Sequence, residues 1–218
     1  MKPFFQTLWT LLRLELMLDG RKRFLLYSNV LFCALCMFLF KVVLREPEYD
    51  HLAGMFWLVS LFSCHGIFLL RNSHAHADMD HHLLHTGIDA YQLFVGKSLG
   101  SMVQLLGIQI ACGFLMALFF GFDVLVLWNH TGAIVAVDAS IAWIGTLMMG
   151  SLRNSSVGKM MFSLFFYPLL TPVFLLGYLT LSALSPDNPL GQSSSLLWGI
   201  FCIFLAISLM VSSYIWEE

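Results

Sequence analysis

The run R71-N-S-H-A-H-A-D-M-D-H-H-L-L-H-T-G-I-D-A-Y-Q-L-F-V-G-K97 is the longest polar stretch in a chain otherwise built of lipid-compatible residues. It separates two apolar blocks, so its reading decides the fold. Five of the eight histidines lie in it, at positions 74, 76, 81, 82 and 85, with Asp78, Asp80 and Asp89 between them. Leu83, Leu84, Ile88 and the Tyr91 to Val95 group give it a discontinuous apolar face, which predicts a short surface helix rather than a disordered linker.

Outward from this run the chain is apolar. In 218 residues, 59% are hydrophobic and only 11% charged, with a mean hydropathy of +0.81. A soluble core cannot absorb that composition, so the chain reads as an all-α, polytopic membrane protein. Six spans are predicted, at about 25–44, 51–70, 98–122, 132–150, 160–184 and 195–216, as one permease domain over 1–218. The loop 71–97 joins the second span to the third. Residues 4–18 are too interrupted by Gln6, Arg13 and Glu15 to cross a bilayer. Phe4, Phe5, Leu8, Leu11 and Leu12 nevertheless recur at helical spacing, which predicts a helix lying in the interface. On it Arg13 takes the polar side, while Glu15 falls at the apolar edge and needs a partner or a polar niche. No cleavable signal peptide is expected, because no small-residue cleavage site follows.

Orientation follows from the cations. With a cytoplasmic N-terminus, Lys2, Arg13, Arg21, Lys22, Arg23, Arg71, Lys97, Arg153 and Lys159 lie inside, and only Lys41 and Arg45 outside. That bias predicts cytoplasmic N- and C-termini and a cytoplasmic histidine loop. The net charge of −2 gives no support for a nucleic-acid partner. The partner that composition does require is the lipid bilayer.

Several residues are candidates for chemistry. His81 and His85 are spaced i,i+4 and His82 and His85 i,i+3, compatible with a zinc site on one helical face. No HExxH-type spacing is present, and a solvated, partner-facing surface is the commoner outcome for such a loop. Asp138 is the one carboxylate well inside a predicted span, which makes it a functional candidate unless that span starts late and leaves it near the headgroups. His65, near the inner end of the second span, has the chemistry of a haem ligand and equally that of a hydrogen-bonded core histidine. Pro168 and Pro172 interrupt the fifth span, where each removes a backbone donor and kinks the helix. The five cysteines all fall in apolar runs, and the Cys33-x-x-Cys36 pair reads as small hydrophobes before it reads as redox or metal chemistry. No phosphate-cradling G-x-x-x-x-G-K-[ST] motif and no hydrolytic triad order is present, so the chain is not expected to be an enzyme on its own.

Short matches along the chain suggest a family. Arg13-Leu14-Glu15-Leu16 resembles the opening R-L-E-L of the CcmB family, the permease subunit of the haem-exporter-type ABC transporter of cytochrome c maturation. Lys97 stands at the lysine that begins that family's third span. Gly121-Phe122-Asp123-Val124 is similar to its G-x-D-V outer turn, and Tyr167-Pro168-Leu169-Leu170-Thr171-Pro172 to its P-L-x-x-P. The resemblance runs over most of the chain and implies an ABC-2-like permease of the bacterial inner membrane. A separate ABC ATPase subunit would dock on the loop after the second span, making Arg71, His81, His82, Leu83, His85 and Lys97 the coupling residues. It further implies a homodimer, contact with other cytochrome c maturation membrane proteins, and haem as cargo rather than as a firmly bound cofactor. Here histidines replace most of the charges of the family's loop. The rival reading, from the residues alone, is a metal-binding membrane protein that uses the histidine loop.

Overall fold

A computed structural model of the chain describes residues 4–21, 23–44, 49–71, 82–123, 128, 130–152, 158–182 and 191–217. The described residues form seven long helices and no strand: α1 (Phe4–Arg21), α2 (Arg23–Val43), α3 (Tyr49–Arg71), α4 (Ala90–Phe120), α5 (Thr131–Leu152), α6 (Gly158–Ser182) and α7 (Gly191–Glu217). A backbone in hydrocarbon must satisfy its polar groups internally, and helices of this apolarity do so without using a neighbour's backbone.

Five helices are long and apolar enough to cross a membrane, over His51–Phe68, Ala90–Phe120, Thr131–Leu152, Leu164–Ser182 and Ser195–Ser212. The protein is therefore a multi-pass helical membrane protein. The first of the six predicted spans corresponds to α2, whose apolar described stretch, Tyr27–Val43, is shorter than those five.

The bundle is organised around α5. Its residues from Ala136 to Thr146 are buried without interruption, and α3, α4, α6 and α7 all pack against it. Small side chains make this possible: Ala133, Ala136, Ala139, Ser140, Ala142 and Gly145 let four neighbours approach one axis. At Gly145 the approach is closest, because a Cβ there would collide with the ring of fully buried Phe68 on α3. A helix buried all round carries little amphipathic signal, which is why Asp138 stands out on it.

Two apolar clusters hold the bundle. The larger joins α2 to α7 through residues such as Met37, Phe56, Phe68, Phe166 and Leu197. The smaller joins Leu11 of α1, Leu93 and Phe94 of α4 and Trp143 of α5, and Phe94 and Trp143 bring their ring centroids to 5.2 Å. Leu205 and Leu209 of α7 pack against the same group.

The third predicted span falls on a helix longer than itself. Helix α4 begins at Ala90, not Ser98, so Lys97 lies inside a helix rather than at the end of a loop. It ends at Phe120, where Gly121 takes the left-handed conformation (φ 67°) and returns its N–H to the Ala117 carbonyl at 3.0 Å. That closure satisfies a carbonyl that the helix end would orphan, and glycine reaches the conformation without a Cβ penalty.

Candidate functional site

The described part of the histidine run is a single helical turn, His82 to His85, closed by a Schellman motif. Gly87, at φ 85°, donates its N–H to the Leu84 carbonyl at 3.1 Å, and Ile88 donates to Leu83 at 3.4 Å. The motif aligns Ile88 with Leu83 as a hydrophobic pair. Both, with Leu84, pack against the smaller cluster, while His82 and His85 are exposed on the outer side of the turn. The discontinuous apolar face read from the sequence thus serves as an anchor, and the imidazoles form the surface it presents. His74, His76, Asp78, Asp80 and His81 lie outside the described residues, as does the side chain of Arg71.

Beside this turn α1 is fastened along the start of α4. Leu11 packs over Gly96, where a Cβ would stand 2.9 Å from the leucine Cβ. One turn further along α1, Glu15 reaches Lys97, with Oε1 3.8 Å from Nζ and both side chains 4% exposed. The partner that Glu15 requires is therefore a residue that the sequence reading assigned to the coupling loop. Arg13 is exposed, as expected, and so are Phe5 and Trp9 on the outer face of α1.

Deeper in the bundle Asp138 is fully buried on α5. The side-chain amide of Gln109 on α4 donates to its Oδ1 at 2.6 Å. Asp138 Oδ2 and Gln109 Oε1 are buried with no hydrogen-bond partner among the described residues. Two buried polar atoms without a partner make this pair costly to maintain in a low-dielectric interior.

His65 on α3 meets α6. Its Nδ1 lies 2.9 Å from the Tyr167 hydroxyl, its ring is parallel to that of Phe162, and Phe166, stacked on Phe162, stands 5.8 Å away. His65 is thus a half-buried, hydrogen-bonded histidine set among aromatic rings. Helix α6 continues unbroken through Pro168 and Pro172, and between them the Thr171 hydroxyl donates to the Tyr167 carbonyl at 2.8 Å. Each proline removes the donor that the carbonyl four residues earlier would have used.

The structure thus gathers His82, Leu83, His85, Lys97 and Glu15 at one end of the bundle, and leaves Asp138, His65 and the prolines as separate features. Among the described residues no group of three His, Cys, Asp or Glu side chains is placed to hold a metal ion. Gln109, Gly96 and Tyr167 were not singled out for these pairings. Gln109 could have been noticed as an amide within an apolar helix, but the other two look ordinary until the helices pack. The chain matches no known protein-family model and no curated protein.

Proposed function

We propose that the chain is the membrane subunit of an ABC transporter resembling the permease of cytochrome c maturation. On this reading it works as a homodimer in a bacterial inner membrane, with both termini cytoplasmic and α2 as the first of six spans. ATP hydrolysis by a separate ATPase subunit drives helix rearrangement, and the work is spent on handling haem or on releasing a haem-loaded chaperone beside other cytochrome c maturation membrane proteins.

The observation that supports the reading is the mechanical continuity of the end of the bundle that carries the His82–His85 turn. The His82–His85 turn, α1 and the start of α4 share one apolar cluster, and that cluster includes Ala139 and Trp143 of the central helix. A force applied at the exposed imidazoles is passed to α5 through packed side chains, because close-packed interiors transmit displacement rather than absorb it. A loop that only displayed histidines to solvent would not need Leu83, Leu84 and Ile88 seated in the bundle.

Co-expression with ATPase subunits, followed by affinity purification of this chain, tests the proposal. An ATPase subunit should co-purify, and the pair His82→Glu and His85→Glu should release it without changing the elution volume of the membrane subunit. Lys97 is unsuited to this test because it is buried. Failure of every candidate ATPase to co-purify would overturn the reading.

A further inference from the structure

Asp138 and Gln109 satisfy only half of each other. The Gln109 amide donates Nε2–H to Asp138 Oδ1 at 2.6 Å, while the other carboxyl oxygen, Oδ2, and the amide oxygen, Oε1, are buried with no partner among the described residues. Carboxyl and amide are both planar, so the two unmatched oxygens are the remaining polar atoms of two groups that already touch. Asp138 is 0% exposed and Gln109 5%, so bulk water does not complete the pair.

What the pair lacks is a positive charge and a hydrogen-bond donor, and the described side chains packed around α5 bring no cation to it. On α4 the one cation is Lys97, which is engaged by Glu15 and stands ~18 Å along the helix from Gln109. The Cys112 thiol of α4 is taken up by Cys33 of α2. On α3 the Cys64 thiol is within electrostatic reach of Asp138, and a thiol is never cationic. His65 is turned to Tyr167 on α6, and His51 is exposed at the start of α3. The described side chains of α6 and α7 include no Asp, Glu, Lys, Arg or His, and their titratable groups are Tyr167, Tyr178 and the exposed Cys202.

Three occupants would answer an unmatched carboxyl. A buried water donating to both oxygens leaves the charge in place, in an interior where an unpaired charge is costly. A hard divalent cation takes about six or more oxygen ligands, and this pair offers two. A single proton on Oδ2 removes the charge and turns that oxygen into a donor, for which Gln109 Oε1 is the acceptor.

We propose that Asp138 and Gln109 form a proton-binding site inside the bundle, in which a carboxylic acid and a primary amide pair edge to edge through two complementary hydrogen bonds. Loss of the proton leaves opposed acceptors and a charge between α4 and α5, so proton occupancy sets how firmly these two helices are held together. Ala139, next to Asp138, belongs to the apolar cluster that seats Leu83, Leu84 and Ile88, which puts the site on the same packed body as the His82–His85 turn. The site requires no ATPase partner and stands or falls separately from the transport reading.

Infrared spectroscopy of the full chain at neutral pH, in dodecyl maltoside because that detergent has no ester carbonyl, tests the proposal. The spectrum should contain the C=O stretch of a protonated carboxyl, and aspartate isotopically labelled at its side-chain carboxyl should shift it in the otherwise native chain. Asp138→Asn, near-isosteric with the acid, should lose the band and keep the melting temperature. Gln109→Leu, which removes the amide, should move the band to higher frequency, as for a carboxyl with weaker hydrogen bonding. Absence of a protonated-carboxyl band, a band insensitive to labelled aspartate, one that persists in Asp138→Asn, or one unmoved in Gln109→Leu overturns the assignment.

Discussion

Glu15 on α1 and Lys97 on α4 meet at 3.8 Å, with both side chains 4% exposed. An ion pair removed from water to this degree gains little net stability by existing, yet removing one member deprives the other of a counter-charge in a dry environment. Its value is positional: it fixes the rotation and the register of α1 along α4. Lys97→Met or Glu15→Gln alone should therefore lower the melting temperature of the purified protein clearly. The double replacement Glu15→Met with Lys97→Met should recover most of the loss. A double variant no more stable than the singles would show that the pair is not the unit responsible.

If that pair aligns the coupling surface, its removal should also separate stability from coupling. In a complex with an ATPase subunit, the double methionine variant should remain folded yet show hydrolysis less responsive to the membrane subunit. Comparing basal and permease-dependent ATP turnover in the two complexes measures this. Unchanged responsiveness in a folded double variant would assign the pair a purely structural role.

The need of Glu15 for a partner was legible in the sequence, but the partner was not. Gln92 and Lys97 make the stretch from Ala90 to Lys97 look like the end of a loop, and only the packing of α1 turns Lys97 into an interior residue. The apolar blocks and the prolines were readable because each is a local property of composition. The pairings Gln109 with Asp138 and His65 with Tyr167 were not, since each depends on which faces of two separate helices meet. Helix α5 illustrates the limit. Its small residues advertise close packing, but they cannot say that four helices would share it.

Gly145 is where that crowding is most severe. Gly145→Ala places a methyl group into the ring of Phe68, and overpacking of this kind costs ~1–3 kcal/mol. Thermal unfolding should show the loss, and combining the substitution with Phe68→Leu should return part of it by vacating the space. No rescue in the double variant would place the strain elsewhere.

Metal removal separates the two readings of the histidine run. Among the described residues His82 and His85 stand exposed on one turn, two imidazoles where a structural zinc site takes four ligands. Chelator treatment should leave both the melting temperature and ATPase co-purification unchanged, and titration should give no stoichiometric zinc. A one-to-one zinc complex, lost when His81, His82 and His85 are all changed to Ala, would favour the metal-binding reading instead.

The pair formed by Gln109 and Asp138 lies far from that surface, and its role can be read from how substitutions combine. Gln109→Leu leaves the Asp138 carboxyl buried without that donor, at a cost of ~1–3 kcal/mol. Asp138→Asn should be tolerated, because the amide keeps the Gln109 hydrogen bond and offers a donor to the orphaned Oε1. The double variant Gln109→Leu with Asp138→Leu removes every buried polar atom of the pair and should fold nearly as well as the native chain, since replacing both partners by apolar groups is often close to neutral. A stable double variant that no longer supports growth in a complementation assay would show that the carboxyl is retained for function. One that grows normally would reduce it to a helix-registry device between α4 and α5.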